Sequence, residues 1–143
     1  MMKELFVKMT NVVSESSDDD NRKVGCVIVR DGDTIVAYGS NTIPEKVKKL
    51  KSRKEKPNKY SWIGHAERNA ICEAAKKGIP TDGCEMYCNY YPCSDCAISI
   101  IQAGISKLYT EKPDFNHHKW GESWKRSKKM FEESGVVIEF IKF

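Results

Sequence analysis

The stretch CEMYCNYYPCSDCAISIIQAGISKLYT, residues 84–110, decides how this chain folds. CEMYCNY (84–90) is a short aromatic and apolar run that reads as a strand. Pro92 breaks it, and a helix follows from about Ser94 to Ala103, ended by Gly104. ISKLYT (105–110) then reads as the next strand. Strand, helix and strand in such close succession point to a crossover between parallel neighbours. The same rhythm continues downstream. GESWKRSKKMFEESG (121–135) is a helix with Gly135 past its end, and VVIEFIKF is a last strand.

Upstream, Leu5, Phe6, Met9, Val12 and Val13 form an i, i+3/i+4, i+7 stripe over residues 3–13, the mark of an amphipathic helix. VGCVIVR (24–30) and TIVAYGS (34–40), separated by Asp31-Gly32-Asp33, read as a hairpin. The polar segment NTIPEKVKKLKSRKEKPNKY, with Pro44 and Pro57, reads as a long loop. A helix runs from about His65 to Lys77, closed by Gly78 with Pro80 beyond. The pattern predicts one α/β domain over residues 1–143, with a largely parallel sheet covered by helices on both faces. Neither a repeat nor a domain boundary is visible.

Composition fits that reading. The 143 residues suffice for one domain with a core of its own, and 40% hydrophobic against 31% charged residues are globular proportions. No apolar run approaches the roughly 18 residues of a membrane span, and the N-terminus has no signal-peptide core, so a cytoplasmic location is expected. Six cysteines in that compartment are thiols or metal ligands rather than disulfides. The net charge of +4 is modest and says little about partners.

Two segments carry chemistry. In YPCSDCA (91–97), Cys93 and Cys96 lie three apart around a helix start, so one ion can take both sulfurs. In WIGHAERNAICEAA (62–75), His65 and Glu67 stand two apart at the head of another helix. In mid-helix two residues turn about 200° and could not share a face. At the first turn both can lean over the open end, where the helix dipole also favours thiolates nearby. His65, Cys93 and Cys96 make three ligands, and a zinc ion with three keeps one position for water. Glu67, close but not ligating, would move the water's proton. H-x-E followed by P-C-x-x-C is the pattern of zinc nucleobase deaminases. C-x-x-C alone would also suit a redox pair, or a closed structural site with Cys84 or Cys88 as fourth ligand; such a site has no use for Glu67.

HAERNAI, PCSDCA and IIQAGI resemble the deoxycytidylate (dCMP) deaminase family of the cytidine deaminase-like superfamily. RKVGCVIV, YGSNTIP and PDFNHHKWGESW extend the likeness from about residue 20 to the end. The resemblance implies a three-layer αβα sandwich with a mixed five-stranded sheet, and often a hexamer built from dimers. It implies zinc on His65, Cys93 and Cys96, with Glu67 shuttling protons as water attacks C4 of the pyrimidine and ammonia leaves. Asn41 would hydrogen-bond the sugar, the Ala66 backbone N–H would meet the base carbonyl, and Phe115 would pack on base or sugar. One departure stands out. Many members have Gly-Tyr-Asn-Gly where this chain has Gly39-Ser40-Asn41-Thr42, a segment tied to activation by dCTP and inhibition by dTTP. Its loss puts that regulation in doubt and leaves room for dCTP as a substrate.

The remaining features read as background. Seven lysines and Arg53 in residues 46–59 read as a solvated loop, the functional alternative being contact with nucleotide phosphates. Asp18-Asp19-Asp20 reads as an exposed turn, although carboxylates near a triphosphate could help hold Mg2+. His117 and His118 are expected on the surface, and Trp120 and Trp124 to pack rather than stack on nucleic acid. Cys26, Cys72, Cys84 and Cys88 are expected to be small buried hydrophobes. Three functions compete: a free-nucleotide deaminase acting on dCMP, a tRNA adenosine or single-stranded DNA deaminase gripping its backbone with the lysine-rich loop, and a catalytically silent zinc module that senses nucleotides.

Overall fold

Strands β1 (Gly25–Arg30) and β2 (Thr34–Ser40) pair as the expected antiparallel hairpin. Asp31 and Gly32 both take positive φ, 54° and 73°, which bends the chain in the sense that strand twist requires. The structure, a computed structural model, describes residues 2–143. Ahead of the hairpin lies α1 (Met2–Ser14). After it come α2 (Lys59–Trp62), α3 (Ala66–Lys76), β3 (Glu85–Cys88), α4 (Ser94–Gln102), β4 (Lys107–Thr110), α5 (Gly121–Ser134) and β5 (Val137–Phe140). No helix among the described residues is long and apolar enough to cross a membrane.

The five strands form one sheet in the order β2-β1-β3-β4-β5. The β3–β4 and β4–β5 ladders are parallel, but β1 is antiparallel to both neighbours, so the sheet is mixed rather than largely parallel. The helical crossovers explain the difference. Each joins two strands of the same direction, as the strand–helix alternation requires. The crossover through α3, however, carries the chain from β2 past β1, and β1, as β2's hairpin partner, runs against both.

Alternating side chains build two cores. On one face Cys26, Ile28, Met86, Cys88 and Leu108 meet Ala66, Ala70 and Ala74 of α3, Ile100 of α4 and Phe131 of α5. On the other, Val27, Val29, Tyr87 and Tyr109 meet Phe6 of α1. The sandwich therefore has three helices on one side of its sheet and α1 on the other. The alanine stripe lets α3 lie close to β2. A Cβ on Gly39 would stand 2.7 Å from the Ala70 nitrogen, so the register of α3 is set by glycine.

Three sequence expectations fail here. The long loop contains a 3-10 turn at Lys51–Lys54 as well as α2. Asp18 and Asp19 are not exposed but organise that segment. Asp18 accepts the Ile43 N–H at 2.8 Å and pairs with Lys49 at 3.0 Å and Lys54 at 3.6 Å. Asp19 pairs with Lys59 at 3.0 Å. Cys26, Cys84 and Cys88 are buried as expected, whereas Cys72 lies on the outer face of α3 and is exposed.

Candidate active site

His65 is the N-cap of α3, with extended backbone (φ −71°, ψ 146°). The preceding Gly64 is fixed by reciprocal bonds with Thr42, N to O at 2.8 and 3.1 Å. Asn69 donates to the carbonyls of Ser40 and Gly64 at 2.9 and 3.1 Å, tying the first turn of α3 to the end of β2. Cys93 is likewise the N-cap of α4, and Cys96 lies in that helix's first turn. Helix α5 fastens this start: Ser127 donates to the Pro92 carbonyl at 2.8 Å, and Ser94 N–H donates to Ser123 Oγ at 2.9 Å.

The two helix starts converge. His65 Nδ1 lies 3.3 Å from Cys96 Sγ and 3.6 Å from Cys93 Sγ. All three donor atoms fall within 4.8 Å of one another. A tetrahedral zinc ion, about 2.3 Å from sulfur and 2.0 Å from nitrogen, separates its donors by about 3.5 to 3.8 Å. The cluster fits that ion with little rearrangement, and its soft, partly buried sulfurs suit zinc rather than a hard cation. Neither Cys84 nor Cys88 belongs to the cluster.

The thiols are unequal. Cys93 is brought down to about 4, chiefly by the hydrogen bond from Cys96 and then by His65, against the effect of burial. Cys96 is pushed up by that same bond, by burial and by Glu67. Both sulfurs bind a metal as thiolates, so metal binding releases protons. Arg68, one residue beyond Glu67, places its guanidinium beside Cys96, and the thiols raise its pKa against the opposing effect of burial. Its Nε is buried without a partner. Sequence reading gave Arg68 no role; its charge lies where a second thiolate would form.

Glu67 is 5% exposed, and burial raises its pKa, partly offset by His65. It shares one cleft with His65, Ala66, Cys93 and Asn41. The first helical hydrogen bond of α3 runs from Asn69 N–H to the His65 carbonyl, so the Ala66 N–H has no partner within the helix. Tyr90, Tyr91, Trp120 and Trp124 supply aromatic lining. Trp124 packs in the core as expected, yet both tryptophans also face the cleft.

Three residues differ from what the sequence led us to expect. Phe115 is not on the cleft; it packs edge-on behind Tyr91, with ring centroids 5.6 Å apart. Asn41 does line the cleft, but its amide is engaged by the backbone: Oδ1 accepts the Val24 N–H at 2.9 Å, and Nδ2 donates to the Arg22 carbonyl at 2.7 Å. His117 is half-buried rather than a surface residue, and its Nδ1 accepts the N–H groups of Lys119 and Trp120, both at 3.1 Å. Asp19, Arg22, Lys59 and Tyr60 also line the cleft. Sequence gave Arg22 and Tyr60 no role, and placed Asp19 in an exposed turn and Lys59 in a solvated run of lysines. Lys59 is the last lysine of a run of seven, and nothing local marks it as the buried one.

A sandwich in which two helix starts bring a histidine, two cysteines and a buried glutamate to one cleft defines a metal-site α/β domain. Residues 2–112 match the family model described as the cytidine and deoxycytidylate deaminase zinc-binding region. The chain is 36% identical over 137 residues to an uncharacterized deaminase in the luxG 3' region of Aliivibrio fischeri, covering 95% of this chain and 90% of that protein. It is 36% identical over 111 residues to human deoxycytidylate deaminase, 73% of this chain and 61% of that protein. The dCMP deaminase of cyanophage S-TIM5, solved in complex with dCMP and dUMP, is similar at a TM-score of 0.78 and 28% identity, covering 98% of this chain and 96% of that one. This chain belongs to the cytidine and deoxycytidylate deaminase family.

Proposed function

We propose that this chain hydrolyses dCMP to dUMP and ammonia. The observation that carries the reading is Glu67, a buried carboxyl in the same cleft as His65 and Cys93 and in none of the ion pairs among the described residues. Zinc on His65, Cys93 and Cys96 would supply Lewis acidity toward water, lowering its pKa toward neutrality. Glu67 takes one proton from the attacking water and gives it to N3 of the base, then takes the second from the hydroxyl now on C4 and gives it to the departing amino group as the C4–N bond breaks. Burial suits it to both roles by bringing its two protonation states closer in energy near neutral pH. The Ala66 N–H, without a partner inside the helix, would meet the base carbonyl. The second N–H of Asn41 remains available to the sugar. Phe115 contributes by fixing Tyr91, which lies on the cleft in its place.

The cyanophage enzyme's complex with dCMP and dUMP supports the substrate. The resemblance further supports a hexamer, and a regulatory triphosphate held with Mg2+. Ser40 and Thr42 offer that triphosphate neither close backbone approach nor an aromatic surface, so activation by dCTP and inhibition by dTTP are expected to be weak. Glu67→Gln tests the mechanism: it should keep zinc and fold while turnover falls by a factor on the order of 10² to 10⁴. Near-normal turnover in that variant would assign the proton transfer to another group.

A further inference from the structure

We propose that residues 46–62 form a binding platform for single-stranded nucleic acid, on which bases stack against Trp62 and Tyr60 while unpaired cations hold the phosphates. The activity is binding, not conversion, and does not depend on the deaminase reading of the cleft.

Seven lysines and Arg53 against Glu55 alone put +7 on this segment of a chain whose net charge is +4, so the other residues together sum to −3. The positive charge is concentrated, as on surfaces that neutralise a phosphate backbone. Lys49, Lys54 and Lys59 are committed to Asp18 and Asp19. Lys46, Lys48, Lys51, Arg53 and Lys56 enter none of the ion pairs among the described residues. The four lysines of that set are exposed, and Arg53 is partly so.

Aromatic rings are interleaved with these cations. Trp62 is 39% exposed and Tyr60 50%. They stand two apart on α2, so they leave it on different sides. Trp62 meets the 3-10 turn, where the Arg53 guanidinium lies 3.8 Å from its ring centroid. Tyr60 lies toward the cleft, where the Lys119 ammonium donates to its hydroxyl at 2.9 Å and sits 4.8 Å from its ring centroid. A cation held against an exposed ring offers a nucleotide both a stacking surface and a charge for its phosphate.

The platform is fixed from below. Asp18 and Asp19, through Lys49, Lys54 and Lys59, tie it to the body of the domain at both ends. Within it Arg53 donates to the Lys48 carbonyl at 3.0 Å and Asn58 to the Ser52 carbonyl at 3.1 Å. A surface already held in shape loses little freedom on binding. The rings select single strands, whose bases expose their π faces, over a duplex that hides them in its own stack. Trp62 does not line the catalytic cleft, so a base stacked on it is held away from His65 and Glu67. Strands are therefore bound without being deaminated.

The test is fluorescence anisotropy of a labelled oligo-dT of about 16 nucleotides, whose bases carry no amino group to remove. The zinc-loaded protein should bind it with a Kd of about 10⁻⁶ to 10⁻⁴ M at physiological salt. Neutralising about three to five phosphates gives a slope of log affinity on log salt of about −2 to −3.5. Lys48→Gln with Lys51→Gln should make that slope shallower by about 1.4. Trp62→Ala should weaken oligo-dT binding by about fivefold to a hundredfold, with Trp62→Phe restoring part, and leave duplex binding unchanged. Trp62 is exposed, so its variants should fold and turn over dCMP as wild type does. Undiminished oligo-dT affinity in Trp62→Ala, or binding insensitive to salt, overturns the platform. Binding to phosphatidylserine vesicles with none to oligo-dT overturns it too and assigns the lysines to a membrane surface. Oligo-dT bound in this pattern by a protein that leaves dCMP untouched upholds the platform and contradicts the deaminase reading; normal dCMP turnover without oligo-dT binding does the reverse.

Discussion

Asn41→Ala should be costly for the fold before it is costly for any ligand. The side chain is 7% exposed and joins two backbone groups on the segment that carries Arg22. Truncation leaves the Val24 N–H, now bonded at 2.9 Å, buried without an acceptor. A buried unsatisfied donor costs about 1–3 kcal/mol. The Arg22 carbonyl, bonded at 2.7 Å, is only partly buried, so water recovers most of that loss and about 0.5–1 kcal/mol remains. The bonds of the Asn41 backbone, to Val24 and from Asp18, survive. The sum is about 1.5–4 kcal/mol, which for a domain of this size lowers Tm by roughly 6–16 °C. Urea unfolding of the zinc-loaded protein measures it, as a shift of midpoint at constant slope. Because Arg22 loses its tether, the KM for dCMP should rise while zinc content holds. A stability loss below about 0.5 kcal/mol, with ligand affinity alone reduced, would refute this reasoning and make Asn41 a plain sugar contact.

Cys96→Ser should lose most of its zinc by elemental analysis, since a hydroxyl replaces one of only three protein donors; full occupancy would mean another ligand. Gly39→Ala puts a methyl against the Ala70 nitrogen and the Ala66 carbonyl, both backbone, so α3 must shift; about 1–3 kcal/mol of stability and some zinc affinity should go, read by thermal unfolding and metal titration. Burial alone would raise the Asp19 pKa, but Lys59 and the Asn21 N–H outweigh it and hold it below the usual 3.8. Its contribution is therefore present above that value and is lost as pH falls through the folded-state pKa. Asp19→Asn should be less stable than wild type at neutral pH, with the gap closing in acid titrations below about pH 4; a gap that stays constant would show that the ion pair is not its source.

The crossovers and the donor set were legible because each rests on a local pattern. Strand, helix and strand in residues 84–110, with cysteines three apart at a helix start, hold their meaning without tertiary context. The mixed sheet was not legible from periodicity, since hydrophobic runs record burial and not the order in which strands lie; the family resemblance alone implied it. The charged side of the cleft was hidden for a related reason. Among seven lysines, only the fold distinguishes Lys59, which α2 buries against Asp19, from neighbours that reach solvent. Asn41 was assigned to the right cleft, but its engagement with Val24 and Arg22 depends on a contact between distant segments. Phe115 shows the converse: an aromatic in the expected stretch, with Tyr91 between it and the cleft.

The central claim is tested most directly by measuring ammonia release from dCMP, deoxycytidine, dCTP and oligo-dC with the zinc-loaded protein. Rapid conversion of dCMP to dUMP, with deoxycytidine and dCTP far slower and oligo-dC inert, is the expected result. No turnover of dCMP, or a clear preference for oligo-dC, would contradict it.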